Sequence, residues 1–316
     1  MRVKHQVFGV RCLVLGVWCI LGGCNNQPAL HKESRVIMGT FAGVISPDER
    51  AAGIAFAEIR RIEKLLSKYD PDSEVSKLNS SGELKASPET YYIIKKSKAF
   101  SAESAGAFDI TVAPLVELWG FKEKNFRVPA KEEIASTLER VGSDKIILND
   151  ADNSVKFSVS GMSIDLGAVA KGYAVDCAAR KLKESGISSA IVNVGGEVYA
   201  LGLKSGKPWV VAIRSPDKKS FHGKLELIDR AASTSGNYEQ FFIKDNIRYS
   251  HIFDPKTGMP VDSGIRGITV LADDCLTADS LATAIFVLGP EKGIALAEKI
   301  SGAEVARVIK EKKRGR

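Results

Sequence analysis

The sequence predicts an α+β fold, and three observations carry that expectation. Strand-like and helix-like segments are mixed without the strict βαβ alternation of a doubly wound sheet. The 316 residues are 44% hydrophobic and 26% charged, enough to bury a normal core without a disulfide framework. No solenoid-type repeat interrupts the pattern. In chain order, residues 35–45 (RVIMGTFAGVI) read as a strand interrupted by Gly39. Ser46-Pro47-Asp48-Glu49 then reads as a helix start, with serine as N-cap and proline at the first helical position. The apolar spacing of Ile54, Ala57, Ile59, Ile62, Leu65 and Leu66 carries that helix to about Lys68. A second helix is expected from Ser87-Pro88 to about Ser104, closed by Gly106. Residues 144–159 read as a hairpin turning at Asp150–Asn153, and a third helix spans about 169–185. Strands follow at 190–194, 209–214 and 265–272. A helix from Thr277 to Leu288 stops at Gly289-Pro290, and Pro290 opens a last one to about Ile300.

The two ends of the chain read differently from its body. Arg2, Lys4 and Arg11 precede an apolar run, residues 12–22, that has signal-peptide length and is too short to span a bilayer. Leu21-Gly22-Gly23-Cys24 follows and resembles a bacterial lipobox, in which Cys24 would carry lipid. The expected organisation is a signal peptide over 1–23, a tether over 24–34, one domain over 35–303 and a basic tail over 304–316. Much of the net charge of +7 lies in the two ends, so nucleic-acid binding is not expected. Besides Cys24 and two signal-segment cysteines, only Cys177 and Cys275 remain, which excludes a CxxC site. With only four histidines, a histidine-built zinc centre is not expected.

Four distant clusters carry possible chemistry. Asp165-Leu166-Gly167 enters the helix that bears Lys171, and a glycine turn at a helix start can bind an anion. The same segment also reads as a plain strand–helix turn with an exposed lysine. Asp279 and Thr283 are spaced i,i+4 and share a helix face, offering two hard oxygens to Mg²⁺ or Ca²⁺. A solvated or capping pair would have the same spacing, but the surrounding helix is apolar and a buried carboxylate needs a partner. Gly195-Gly196 permits close backbone approach, and His251 precedes the turn Asp254-Pro255-Lys256-Thr257-Gly258.

The motifs MGT, LSKYDPDSEVSKLN, GAFDITVAPL, IDLGAVAKGYAVD, NVGGE, TSGNYE, SHIFDPKTG and ADSLATA stand in one order from Met38 to Ala284. In that order they resemble the ApbE family of FAD:protein FMN transferases, from about Arg35 to Ile300. The resemblance implies two interlocked α/β parts with an FAD cleft between them. It implies Mg²⁺ held by the backbone carbonyl of Ala168 with Asp279 and Thr283. FAD contacts would fall at Met38, Tyr69, Ala107, Phe108, Asp109, Asp165, Lys171 and the position of Phe253, where many members carry an aliphatic residue. His251 matches a histidine thought to assist transfer, and Asp279 doubles as a catalytic residue. The implied reaction moves FMN onto a threonine or serine hydroxyl of an acceptor protein and releases AMP. Acceptors would be subunits of membrane redox complexes, and the enzyme would be lipid-anchored in the bacterial cell envelope, facing the periplasm. Two other readings use the same residues: an FAD pyrophosphatase with water as nucleophile, and a lipoprotein that binds FAD without turnover.

Overall fold

A computed structural model describes residues 29–215, 219–236 and 240–310. The lipobox cysteine, Cys24, lies outside the described residues. The chain opens with a hairpin, β1 (His31–Ile37) and β2 (Thr40–Ser46), rather than one interrupted strand. Met38 and Gly39 both take positive φ, 55° and 69°, which is the two-residue turn that matches strand twist. The expected cap at Ser46 also fails. Ser46 is buried at the end of β2 and its hydroxyl donates to the Ser189 carbonyl, and α1 (Ala51–Leu66) starts one turn later without a side-chain cap.

Next come α2 (Glu74–Ser81), β3 (Glu83–Lys85) and α3 (Pro88–Glu103). Here the Ser87 hydroxyl does accept the Thr90 amide, and Gly106 closes the helix with its amide on the Ser101 carbonyl. Two short helices, α4 (Ala113–Leu118) and α5 (Lys131–Leu138), precede the expected hairpin, β4 (Ile146–Asn149) and β5 (Ser154–Phe157). The remaining elements are α6 (Ala170–Glu184), β6 (Ala190–Val194), β7 (Glu197–Leu201), β8 (Trp209–Arg214), β9 (Phe221–Leu227), β10 (Arg230–Gly236), β11 (Phe241–Lys244), β12 (Ile247–Ser250), β13 (Ile265–Ala272), α7 (Cys275–Leu288), α8 (Pro290–Ala297) and β14 (Glu304–Lys310). The segment expected as a basic tail therefore begins as a strand, paired with β13 along the sheet edge.

The main sheet has seven strands in the order β1-β2-β6-β7-β10-β13-β14, all antiparallel. Period-two alternation splits its side chains between two cores. Val192, Tyr199, Ala231 and Val270 face a helix layer that contains α1, α6 and α7. Ile191, Val198, Ala200, Ala232 and Leu271 face the other way and are covered by Trp209 and Leu227 of the β8–β9 hairpin. A third core lies apart from the sheet: Leu115, Trp119, Phe121, Ile134, Val141 and Phe253, with Phe242 and Tyr249 of β11 and β12 packed against it. The result is an α+β architecture with a sheet-and-helix part and an aromatic part. Cys177 and Cys275 are both buried and unbridged. Among the described residues no helix is long and apolar enough to cross a membrane.

Candidate active site

The turns at one end of the main sheet converge with the start of α6. The β1–β2 turn abuts the β6–β7 turn: the Gly195 amide donates to the Phe41 carbonyl at 3.0 Å, and a methyl on Gly195 would lie 2.9 Å from Thr40. Both glycines of that second turn have positive φ, so the close approach requires them. The strained Met38 turn is pinned from α1, where Glu63 Oε1 accepts the Met38 amide at 2.5 Å. Glu197, the first residue after the turn, is 3% exposed and faces the α6 start.

There three charged groups meet. The Lys171 ammonium lies 3.3 Å from Glu197 Oε1 and 3.7 Å from Asp279 Oδ2, and it donates to the Gly167 carbonyl at 3.1 Å. Asp279 is 2% exposed and accepts the Gly172 amide at 3.2 Å. Burial pushes the Asp279 carboxyl well above the usual carboxylate range; Lys171 opposes that shift and neighbouring Glu197 adds to it. Glu197 Oε2 is buried with no hydrogen-bond partner among the described residues. Two buried carboxylates thus face one ammonium, so the cluster needs one more positive charge, either a proton held on Asp279 or a bound cation.

A cation can take the place of that proton, and the oxygens present suit one. Mg²⁺ takes carboxylate, hydroxyl and carbonyl oxygens. Asp279 supplies the first, and Thr283 lies one turn further along α7, half-buried. The Gly172 amide, four residues beyond Ala168, is spent on Asp279, and the Ala168 carbonyl takes no backbone amide among the described residues. One further acidic group, Glu58, Glu89 and Cys177, lies elsewhere on the helix layer. Arg61 pairs with both of its carboxylates and Arg180 with its thiol, so its charge is already balanced.

The remaining expected residues divide. Asp165 accepts the Lys68 ammonium at 2.5 Å and the Gly167 amide at 2.8 Å, and the Lys68 ammonium also lies 5.1 Å from the centre of the Tyr69 ring. Tyr69 itself is 70% exposed, free to meet a planar ligand. His251 belongs to this group: its Nδ1 bonds the Gln240 carbonyl at 3.0 Å, which leaves Nε2 as the open nitrogen. Burial holds its pKa below the usual 6.5; the Gln240 carbonyl opposes that, and the charges of Lys171, Asp165 and Lys68 also reach the ring.

Four expected FAD contacts have their side chains buried or occupied. Phe253 is 4% exposed and packs on Trp119 and Phe121, so its side chain belongs to the aromatic core. Phe108 is buried edge-on against Phe100. The Asp109 carboxylate is filled by Thr111 and by the amide and hydroxyl of Ser143, so it ties two loops together. Ala107, between Gly106 and Phe108, is itself buried. Only the backbone at these positions is left to line a cleft, because their side chains are occupied elsewhere. Sequence reasoning had not singled out Lys68, Glu63 or Glu197 individually. All three lie within or beside the motifs, but their partners are 25 to 97 residues away.

The chain as a whole is similar to known proteins. Residues 38–307 match the model of the ApbE family. A curated FAD:protein FMN transferase of Vibrio cholerae is 37% identical over 294 residues, covering 88% of this chain and 87% of its own length. The enzyme of the same description from Escherichia coli K12 is 34% identical, with 97% and 94% covered. Among solved structures, the ApbE protein of Thermotoga maritima superposes with a TM-score of 0.81 at 33% identity, over 90% of this chain and 97% of that one. The flavin transferase ApbE of Vibrio cholerae gives 0.77 at 31%, with the same coverage.

Proposed function

The chain belongs to the ApbE family and is an enzyme of flavin transfer from FAD to protein; from that premise we propose that it uses Mg²⁺ at the α6–α7 corner and a threonine or serine hydroxyl as acceptor. The acceptor oxygen forms a bond to the FMN phosphorus of FAD, the pyrophosphate bond breaks, and AMP leaves. The observation that supports the metal is the buried pair Asp279 and Glu197, which shares the one ammonium of Lys171 and needs a proton or a cation to balance. Bound there through Asp279, Thr283 and the Ala168 carbonyl, Mg²⁺ would neutralise pyrophosphate charge as a Lewis acid. Lys171 adds a fixed positive charge at the helix start and keeps the two carboxylates from repelling each other. His251, with Nδ1 committed to Gln240, presents Nε2 to take the hydroxyl proton. Exposed Tyr69 and the partly buried Lys68–Asp165 pair beside it form one lip for the flavin or adenine ring.

We further propose that Cys24 carries lipid and holds the enzyme at the periplasmic side of the envelope, where its acceptors are subunits of membrane redox complexes. Cys24→Ala should abolish lipid labelling and release the protein from the membrane fraction. The central test incubates the protein with FAD and Mg²⁺, with and without an acceptor protein. Covalent flavin fluorescence on a gel that needs both Mg²⁺ and acceptor supports the reading. Release of FMN and AMP at the same rate without acceptor would make it a pyrophosphatase. Turnover indifferent to EDTA would remove the metal.

A further inference from the structure

Asp176 has no part in the chemistry above, yet it touches the helix that carries the carboxylate. It sits on α6, five residues beyond Lys171. Its Oδ1 accepts the Cys275 amide at 2.7 Å and its Oδ2 the Leu276 amide at 2.9 Å. These are the first two amides of α7, which have no partner within their own helix. α7 already has a local cap. Asp274 accepts the Thr277 amide at 2.7 Å and the Thr277 hydroxyl at 3.0 Å. One such cap is enough to start a helix. The second comes from a different helix, so it sets where α7 lies against α6.

A second contact fixes the same register. A methyl on Gly172 would lie 2.4 Å from the Cys275 carbonyl oxygen, so the two backbones touch there. Asp279 is four residues past Cys275, one turn into α7, and it accepts the Gly172 amide. The proposed donor set is split across this seam. Ala168 lies at the start of α6, whereas Asp279 and Thr283 lie on α7. A slide of α7 by 1 Å relative to α6, the size of change that second contacts normally prevent, would open the set.

We propose that Asp176 is a positioning residue for the cation site: by gripping the first turn of α7 from α6, it sets the spacing between the Ala168 carbonyl and the oxygens of Asp279 and Thr283. This rests on the metal reading given above. The test titrates the full chain with Mg²⁺ alone, by calorimetry, in the wild type and in Asp176→Ala and Asp176→Asn. Circular dichroism and melting in EDTA verify the fold, and FAD affinity is measured in EDTA. Asp176→Ala should weaken Mg²⁺ binding about 10- to 100-fold, the usual effect of losing a group that orients a ligand. Asp176→Asn keeps one acceptor and should lose less. FAD affinity without metal should change less than about twofold, and excess Mg²⁺ should restore turnover. If Asp176→Ala does not fold, the isosteric Asp176→Asn decides. A lower melting temperature with wild-type Mg²⁺ affinity would make Asp176 a structural cap and overturn the proposal. A wild type that binds no Mg²⁺ would overturn the metal reading instead.

Discussion

The two sides of the candidate site are built by different means. On the α6–α7 side, charged groups are buried and held by backbone. Asp279 takes a main-chain amide, Lys171 a main-chain carbonyl, and Gly172 lets the two helices touch. On the other side, His251 is held by the Gln240 carbonyl next to a core of aromatic rings. The first side has little freedom and concentrates charge. The second tunes one titratable ring by partly burying it. A site that must stabilise a multiply charged phosphate while moving one proton has reason to separate these tasks.

The largest break in that comparison should come from Asp279→Ala. It removes the single charged protein oxygen from the proposed cation set. FMN transfer and any FAD hydrolysis should fall together by about 10³-fold or more, since polarising metal charge contributes several kcal/mol. The check is product formation by a variant whose melting curve shows it folded. Retained turnover would return Asp279 to a structural role.

On the opposite side, His251→Gln should cost about 10²-fold in kcat, the range of a lost general base. The pH profile sharpens the point. Proton acceptance needs neutral imidazole, so activity should rise with pH along an acid limb centred below 6.5, because burial lowers the pKa. The same lowered pKa has a stability consequence. Burial favours the neutral ring, so its contribution is full above the unfolded value and is lost as pH falls through the folded one. His251→Gln should remove the limb and reduce that slope.

Phe253→Ala should cost about 3 kcal/mol, because a ring packed on Trp119 and Phe121 leaves a cavity. The melting temperature should fall, with Mg²⁺ affinity unchanged because the metal side has a separate core. The smallest effect is expected at Lys68→Met. Its partly exposed ion pair with Asp165 is worth about 1 kcal/mol or less. FAD affinity should drop only a few-fold, measured by flavin fluorescence quenching.

The elements with strong local signals were legible in the residues. Ser87-Pro88, Gly186 and Gly289-Pro290 bound helices where expected, and the strands at 190–194, 209–214 and 265–272 match their apolar runs. The misreadings share a cause. Ser46-Pro47-Asp48-Glu49 has the residues of a cap, yet Ser46 is drawn into β2 by its bond to Ser189, 143 residues away. Gly39 looked like a break in a strand, and it is a reversal because β1 has β2 to pair with. Glu304–Lys310 reads as charged tail, and it is a strand because the β13 edge offers it hydrogen bonds.

The candidate site divides along the same line. Sequence alone determined which residue types stand in which order, and so the family, the fold class, the i,i+4 pairing of Asp279 with Thr283 and the glycine turns. Local chemistry and spacing suffice for these. Tertiary structure decided what each side chain touches. It turned Phe253 and Phe108 into core, closed the Asp109 carboxylate, placed Glu197 beside Asp279, and brought Asp176 under α7. Except for Phe108, which packs on nearby Phe100, those outcomes depend on partners tens of residues or more distant, whose approach is set by packing of the sheet and helices and not by any local pattern.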